Sequence, residues 1–472
     1  MPLSVLRRLG AAVTLSAALM LPGPNAGAAP SLPDEDTLLA NPCGPSLVYL
    51  IDQYQTDPAT RAALEKVLSG LKDMPQGYAY HGSRANPWRV QDADALLSMM
   101  VTMFSQWCVT LPEIHGTSDN ALDPILYFAW FFYQNQYGQD FVQGRDPNAP
   151  DQPLETGQQF LAKWNSDYLA YMNSAESDAK VPEWVADPRI EIDDYKKTSA
   201  DQYDSWNSFF TRQLKTNPDG TIPSRPVTMP DRDYVIVSPT DCIMNPLIQM
   251  QKMDATYDRT YVEDPLQYDT ILDIKGIPLS MSQLLANTPE DLKEQFVGGT
   301  GLSCVLMPNT YHHFHSPVDG KIVHAEIVET GSPFATGTFG YIDYPNWVPL
   351  DGNVGRLGTD YSQFQVFQRG VIIIKVTYEN LPGRTPETLT GYVASIPVGL
   401  DSVGSVEFDP DVAPGLSVKK GVTRFGNFNF GGSLNILLFS KGLVGNEVQT
   451  RMGNQIAIIN AGTAPKSPWS LD

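Results

Sequence analysis

The chain has 472 residues, of which 32 are basic and 53 are acidic, so its formal net charge is −21. This length is enough for two domains or for one large domain. The acidic charge repels the phosphates of nucleic acids and the headgroups of anionic lipids, so we predict no nucleic-acid partner.

The N-terminus has the pattern of a secretion signal. Two arginines at positions 7 and 8 precede an apolar stretch at 9–21, and the small residues at 26–28 offer a cleavage site. The apolar stretch is shorter than the roughly 20 residues of a typical membrane span, although a short membrane anchor is the alternative interpretation. We therefore predict a signal peptide over residues 1–28 and an exported protein, periplasmic or secreted.

Residues 30–198 predict a helical N-terminal domain. Apolar residues recur at helical spacing in 46–54, 61–71, 93–107 and 160–172, and the all-apolar segment 124–132 predicts a buried helix. Aromatic residues line one face of 160–172, and we expect them in the core rather than in a ligand site. The proline- and aspartate-rich stretch 181–197 predicts a linker, and 206–214 predicts a short helix.

After residue 198 the pattern changes from helices to strands. Short apolar runs at 234–237, 371–376, 390–398 and 434–439 are separated by glycine and proline turns, as strands of a β domain are. The predicted fold class is therefore α+β, with the helical domain followed by a mainly β domain over residues 199–460.

The chain has four cysteines, at positions 43, 108, 242 and 304. In an oxidising compartment two disulfides are possible, and the pairs Cys43–Cys108 and Cys242–Cys304 would each stay within one predicted domain. Four buried free thiols are the alternative. The spacing lacks the CxxC pairs of a zinc site.

A glycine–serine bond at Gly432–Ser433 directly precedes the apolar run 434–439. A serine hydroxyl becomes a nucleophile when a neighbour takes its proton, and glycine leaves the preceding carbonyl open to attack. Attack of Ser433 on Gly432, followed by elimination and loss of ammonia, would split the chain and leave a pyruvoyl group. A plain turn before a strand is the alternative.

Three of the six histidines lie in the short segment 312–315, which reads His-His-Phe-His. A base of near-neutral pKa is what activation of a serine needs, so His312 and His315 are candidate bases. Asp241 could orient one of them as in a Ser-His-Asp triad, or serve as an ordinary turn residue. A metal site and a structural cluster are the alternatives for the histidines.

In their order along the chain, these motifs resemble the phosphatidylserine decarboxylase family. The resemblance covers about residues 200–445 and is carried by the segments 209–214, 225–226, 238–241, 308–320 and 418–433. The helical first half, Trp164 and the segment 296–300 are similar to a subgroup with an extra N-terminal helical domain. That subgroup includes tryptophan decarboxylases, which act on free aromatic amino acids.

The resemblance implies a pyruvoyl-dependent carboxy-lyase made as a zymogen that cuts itself between Gly432 and Ser433. Ser433 would become the covalent pyruvoyl cofactor, His315 the base of self-cleavage oriented by Asp241, and His312 the proton donor after CO2 leaves. No metal is implied. The two fragments would stay associated, as partners of one another.

The substrate implied by the resemblance is a small molecule bound through a Schiff base, either a free aromatic amino acid or phosphatidylserine. The lipid would bring membrane contact and a place in phospholipid biosynthesis, whereas a free amino acid would not. A catalytically inactive, secreted binding module on the same fold and a metal-dependent hydrolase are the other hypotheses.

Three features depart from the family pattern. Cys242 stands after Asp241 where the family has glycine, and His313 stands where it often has arginine. An additional insert at 330–363 is expected to form either a lid or a surface excursion.

Overall fold

The computed structural model of the chain describes residues 32–71, 92–112, 135–253, 256–261, 265–274, 277–328, 368–379, 388–399, 405–430 and 433–444. The predicted signal peptide, the helix at 124–132, the insert at 330–363 and Gly432 lie outside these residues. Within them, helices dominate the first half and antiparallel strands the second, which confirms the α+β class. The domain boundary at 198/199 stays a prediction.

The helices of the first half match the periodic segments closely, and short ones continue to residue 296. The α-helices are α1 (Glu35–Leu39), α2 (Gly44–Thr56), α3 (Pro58–Ser69), α4 (Ala93–Cys108), α5 (Gln136–Val142), α6 (Thr156–Met172), α7 (Val181–Ala186), α8 (Trp206–Phe210), α9 (Met281–Leu284) and α10 (Glu290–Lys293). Short 3-10 helices lie at Ala175–Lys180, Pro188–Ile190, Ile192–Asp194, Ala200–Gln202 and Glu294–Phe296.

Side-chain caps begin two of the long helices. Asp57 accepts from the amides of Ala59 and Thr60 at the start of α3, where Pro58 occupies the first turn and, having no N–H, needs no acceptor. Asp92 accepts from the amide of Ala95 at the start of α4. Capping fixes where these helices begin, and burial of their apolar faces stabilises them further.

The aromatic face of α6 is core, as predicted. The ring of Trp164 lies 4.4 Å from Trp107 and 4.9 Å from Tyr168, and Phe104 meets Phe160 edge to face at 4.9 Å. All five side chains are buried. The cluster joins α4 to α6, because aromatic rings bury large areas and favour offset or edge-to-face contacts.

The predicted linker at 181–197 is instead folded against the helical region. It forms α7 and two 3-10 helices, and it buries Trp184, Ile190 and Tyr195. The indole Nε1 of Trp184 donates to the carbonyl of Pro112. The large apolar side chains outweigh the proline-rich composition, because their burial stabilises an ordered path.

Sixteen strands lie in the described residues, and all but the first two belong to the second half. They are β1 (Arg145–Asp146), β2 (Ala149–Pro153), β3 (Ile243–Pro246), β4 (Ile248–Met253), β5 (Thr256–Tyr261), β6 (Ile271–Ile274), β7 (Ile277–Ser280), β8 (Thr300–Leu306), β9 (His313–His315), β10 (Gly320–Val328), β11 (Arg369–Tyr378), β12 (Leu389–Gly399), β13 (Val406–Phe408), β14 (Ser417–Val418), β15 (Arg424–Phe428) and β16 (Ser433–Phe439).

A seven-stranded antiparallel sheet forms the centre of the second half, in the order β14-β10-β11-β12-β16-β8-β3. A three-stranded sheet, β13-β15-β9, carries His313 and His315. The strands β5-β4-β6-β7 form a separate four-stranded sheet. Strand β16 pairs with β12 on one side and with β8 on the other. All seven of its residues are buried, which explains its nearly continuous apolar sequence.

Two local predictions were wrong. Residues 234–237 form no strand, because the amide of Val235 bonds to Arg232 and that of Val237 to Pro317 instead of to a neighbouring strand. The helix expected over 206–214 ends at Phe210, and Leu214 forms an isolated bridge with Tyr195.

One of the two predicted disulfides is formed. Cys43 at the start of α2 is bonded to Cys108 at the end of α4, whereas Cys242 and Cys304 are thiols. Among the residues described, no helix combines the length and the apolar character needed to cross a bilayer.

Candidate active site

Ser433 lies in the middle of the large sheet, as the first residue of β16. Its backbone is in register with Gly399 of β12 and Leu306 of β8, and the residue is fully buried. The Ser433 hydroxyl oxygen is 2.9 Å from Nδ1 of His312. The structure therefore brings together two of the residues that the sequence singled out, although they are 121 positions apart.

The tautomer of His312 is set by a backbone carbonyl. Its Nε2 lies 3.0 Å from the carbonyl oxygen of Met307, and a carbonyl can only accept, so Nε2 carries the hydrogen. The other nitrogen, Nδ1, then has a free lone pair directed at the Ser433 hydroxyl. This is the arrangement in which imidazole accepts a proton from serine.

Burial keeps His312 neutral. The ring is fully buried, and desolvation, together with the nearby charge of Arg212, lowers the pKa of His312 well below its ordinary value. The neutral imidazole is the form that can act as a base. The site thus holds a base in its active form well below pH 6.5.

The side chains that fix His312 come from the segment 209–214. The ring of Phe210 stacks on the imidazole at a centroid distance of 3.8 Å. One Arg212 nitrogen donates to the carbonyls of Asn309 and Thr310, at 2.6 and 3.0 Å, in the turn that precedes His312. Phe210 at the end of α8 therefore positions this ring, and Arg212, two residues beyond the helix, holds the loop that carries it.

His315 and Asp241 lie near one another but do not form the expected hydrogen bond. The amide of His315 donates to the carbonyl of Pro239, which places β9 beside the segment that carries Asp241. The His315 Nε2 is instead 3.1 Å from the Tyr311 hydroxyl, and within the described part of the chain its Nδ1 has no partner. Burial lowers the pKa of His315 to about 4.

Asp241 is bound by Arg225. The Arg225 Nε lies 3.0 Å from both carboxylate oxygens of Asp241, and the same guanidinium contacts Asp194 at 2.7 Å and Glu191 at 3.3 Å. Burial opposes the charged form, but hydrogen bonds to Asp241 and Asp194 and the charge of Asp241 raise the pKa of Arg225. This ion-pair cluster takes the place of the predicted Asp241–His315 pair.

His313 points away from Ser433. Its Nε2 donates to the carbonyl of Thr211 at 2.9 Å, its ring stacks on Tyr311, and burial lowers its pKa to about 3. The three histidines of the His-His-Phe-His segment thus have different hydrogen-bond partners. No group of three potential metal ligands was found in the part of the chain that the structure describes.

Sequence reasoning missed the supporting roles of Phe210, Arg212, Arg225 and Tyr311. All four lie in segments that carry the family resemblance, and that was the available signal for them. The contacts of Phe210 and Arg212 follow from tertiary packing between segments about 100 residues apart, as for Arg212 and Asn309. No local pattern reports such a pairing.

The part of the chain that carries this site is similar in sequence to a known protein family. The family model described as phosphatidylserine decarboxylase matches residues 206–458, which is more than half of the chain. The match begins at α8 and includes the Ser433–His312 pair.

Three curated proteins illustrate the similarity. Decarboxylase iboD of Amanita muscaria is 31% identical over 50% of this chain and 58% of its own length. Phosphatidylserine decarboxylase proenzyme of Fusobacterium nucleatum is 26% identical over 60% of this chain and 75% of its own length. The proenzyme of the same name from Clostridium novyi is 24% identical, over 67% and 82%. The match to the first of these therefore spans less than two thirds of that protein.

Proposed function

The chain belongs to the phosphatidylserine decarboxylase family, and from this premise we propose that it is a self-processing decarboxylase of a free amino acid. Members of this family are carboxy-lyases, made as proenzymes, that carry a covalent pyruvoyl group derived from a serine. The contact of 2.9 Å between His312 Nδ1 and the Ser433 hydroxyl is the observation that most supports Ser433 as that serine.

In the proposed processing reaction, the Ser433 hydroxyl proton moves to Nδ1 of His312 as the oxygen bonds to the carbonyl carbon of Gly432. The peptide bond then breaks, its nitrogen takes up a proton, and an ester remains. Loss of the Ser433 α-proton expels Gly432 as a free carboxylate and leaves a dehydroalanine. Water then converts the dehydroalanine to the ketone of the pyruvoyl group and releases ammonia.

The surroundings of residue 433 fit a pyruvoyl group. Strand pairing with Gly399 and Leu306 holds the backbone of residue 433 in place, and the His312 ring lies beside its side chain. When formed, the ketone supplies an electrophile that binds an amine and withdraws electrons from the bond to the carboxylate. Since β16 lies between β12 and β8, the released C-terminal fragment would stay bound within the sheet.

His312 serves the second reaction as well in this proposal. The ring remains beside residue 433 after processing, where the carbon that loses CO2 needs a proton. Nδ1 of the neutral ring can take the proton that the substrate ammonium loses when its nitrogen binds the ketone, and because burial lowers the pKa of His312, the ring would give that proton up readily to the carbon. This supports the donor role that the family resemblance implies for His312.

A free amino acid is the proposed substrate, because helical-region side chains pack next to the site. Tyr168 of the helical domain lies 5.7 Å from the ring of Phe430, which is three residues before Ser433. Phe430 also lies 6.0 Å from Trp206 and its amide donates to Asn207, both at the start of the family-matched part of the chain. The net charge of −21 also opposes binding to anionic bilayers. We further propose export, on the strength of the pattern at residues 1–28.

The test is CO2 release from tryptophan, tyrosine, serine and phosphatidylserine by purified protein, with Ser433→Ala as the matched control. We expect release from a free amino acid and none from the variant. Release from phosphatidylserine alone would contradict the substrate assignment. Processed protein that releases no CO2 from any of the four would instead favour the inactive binding module.

A further inference from the structure

The side-chain amide of Asn435 lies in the middle of the sheet and is only partly hydrogen-bonded. The residue is fully buried, and its Nδ2 has no hydrogen-bond partner within the residues described. Its Oδ1 accepts a hydrogen bond of 3.2 Å from the Ser395 hydroxyl. A buried donor without an acceptor costs about 1–3 kcal/mol, so such a group calls for a functional explanation.

The amide lies on the same face of β16 as the Ser433 hydroxyl. Side chains alternate along a strand, so residues 433, 435 and 437 share one face, and the two α-carbons of Ser433 and Asn435 are about 6–7 Å apart. His312 approaches Ser433 on this face. The free N–H groups of Asn435 therefore lie on the side of the sheet where the reaction would occur.

Among the residues that the structure describes, the neighbours on this face give the amide N–H groups of Asn435 no acceptor. Cys304, opposite Asn435 on β8, carries a buried thiol, which is only a weak acceptor, and Leu437, the next residue along the face, is apolar. Ser395 is engaged with the amide oxygen. The Nδ2 group is thus a buried donor without an acceptor among the residues described, on the face of the sheet that carries the Ser433 hydroxyl.

We propose that Asn435 binds the α-carboxylate of the amino-acid substrate while the substrate amine is held at residue 433. This inference rests on the proposed function. The α-carbon places the carboxylate two bonds beyond the amine, which brings its oxygens toward the side chain two residues along the strand. A neutral amide orients the carboxylate without the strong ground-state stabilisation that a buried cation would give, which favours loss of CO2.

The test uses the double variant Ser395→Ala/Asn435→Leu, which removes both partners and leaves neither unsatisfied. Three quantities are measured: release of the C-terminal fragment on a denaturing gel, the melting temperature, and reductive trapping with borohydride. Trapping is titrated with tryptophan and, separately, with tryptamine, which lacks the carboxylate. Asn135→Leu is the matched control, since Asn135 is a buried asparagine of the helical region whose amide donates to Val67 and caps α5.

We expect the double variant to process normally and to melt no lower than the wild type, because it removes an unsatisfied donor. Its half-saturating tryptophan concentration should rise about 10–100-fold, the equivalent of one hydrogen bond to a charged group, while that for tryptamine stays unchanged. Asn135→Leu should lower the melting temperature instead.

Three outcomes would overturn the proposal. A melting temperature lowered as in Asn135→Leu would assign Asn435 a structural role. Equal weakening of tryptophan and tryptamine would show that the carboxylate is not what it binds. An unprocessed double variant would place Asn435 in self-cleavage, whereas an unprocessed wild type would refute the proposed function itself.

Discussion

The helical region (residues 32–210) and the β region (residues 243–444) bury different kinds of side chain. The helical core is mostly apolar and aromatic, and the disulfide Cys43–Cys108 crosses it. The β region buries three histidines, Ser433 and Asn435 along with its apolar residues. Burying polar groups costs free energy unless they are paired, so the reactive groups are expected in the second region.

The two regions meet where the chemistry is proposed. Asn207 and Phe210 belong to α8, yet they contact the Phe430 amide and the His312 ring. The helical region therefore supports the site by packing, and the β region supplies the reacting groups. The variants below test whether the helical region only supports the site by packing while the β region supplies the reacting groups.

The largest effect is expected from His312, because it touches Ser433. His312→Ala should slow self-cleavage about 10²–10⁴-fold, the usual contribution of a general base, and should abolish CO2 release. His315→Ala should slow cleavage less. The measurement is the time course of fragment release on a denaturing gel. A larger defect in His315→Ala would restore the role that the family resemblance gave to His315.

The pH dependence of cleavage checks the same assignment. A histidine in water is half protonated near pH 6.5, but the pKa of His312 is lowered, so the ring stays neutral as pH falls through that value. Wild-type cleavage should therefore stay constant from pH 7.5 to well below 6.5. A fall in rate that is half complete near pH 6.5 would contradict a buried, neutral base.

A smaller effect is expected at the ion-pair cluster in which Glu191 and Asp194 of the helical region meet Arg225 and Asp241, which lie in the segment between the two regions. Arg225→Met leaves the carboxylates near one another without their cation and should lower the free energy of unfolding by about 1–3 kcal/mol. Urea denaturation of the unprocessed Ser433→Ala background measures this loss. Arg61→Met is the control, because the Arg61–Asp94 pair is exposed and should contribute at most about 1 kcal/mol.

The same cluster tests the role of Asp241. If Asp241 acts mainly through Arg225, then Asp241→Asn and Arg225→Met should slow self-cleavage to a similar extent. A cleavage defect in Asp241→Asn alone would show that this carboxylate acts on His315 after all.

The smallest effect on the chemistry is expected from the disulfide. Replacing Cys43 and Cys108 together by alanine should lower the free energy of unfolding by about 2–4 kcal/mol and leave the rate of self-cleavage unchanged. Cys242→Ala serves as the comparison, because that thiol is half-buried and unbridged and its loss should cost less. Slower self-cleavage in the double alanine variant would show that the helical region affects the reaction itself as well as the packing of the site.

The spacing of apolar residues correctly predicted those helices and strands whose apolar side chains pack into the same core. The helices around 46–54 and 160–172 and the strands at 371–376, 390–398 and 434–439 formed as expected, because their apolar residues face one core. The run at 234–237 is equally apolar but bonds to Arg232 and Pro317, and no local feature distinguishes it from a strand.

The candidate site was predictable in its residues but not in its pairings. Ser433, His312, His315 and Asp241 stand out by type and motif, and the first two do meet. Their contact depends on the pairing of β16 with β8 and on the turn at Met307, which sets the tautomer of His312. The capture of Asp241 by Arg225 is likewise a long-range event that only the folded chain reveals.

The most direct test of the central claim is the mass of the fragment that begins at residue 433 in purified, mature protein. Self-cleavage with formation of a pyruvoyl group predicts a fragment starting at residue 433 that is lighter than the corresponding serine peptide by one ammonia and blocked to N-terminal sequencing. An intact chain with an unmodified Ser433 would contradict the account.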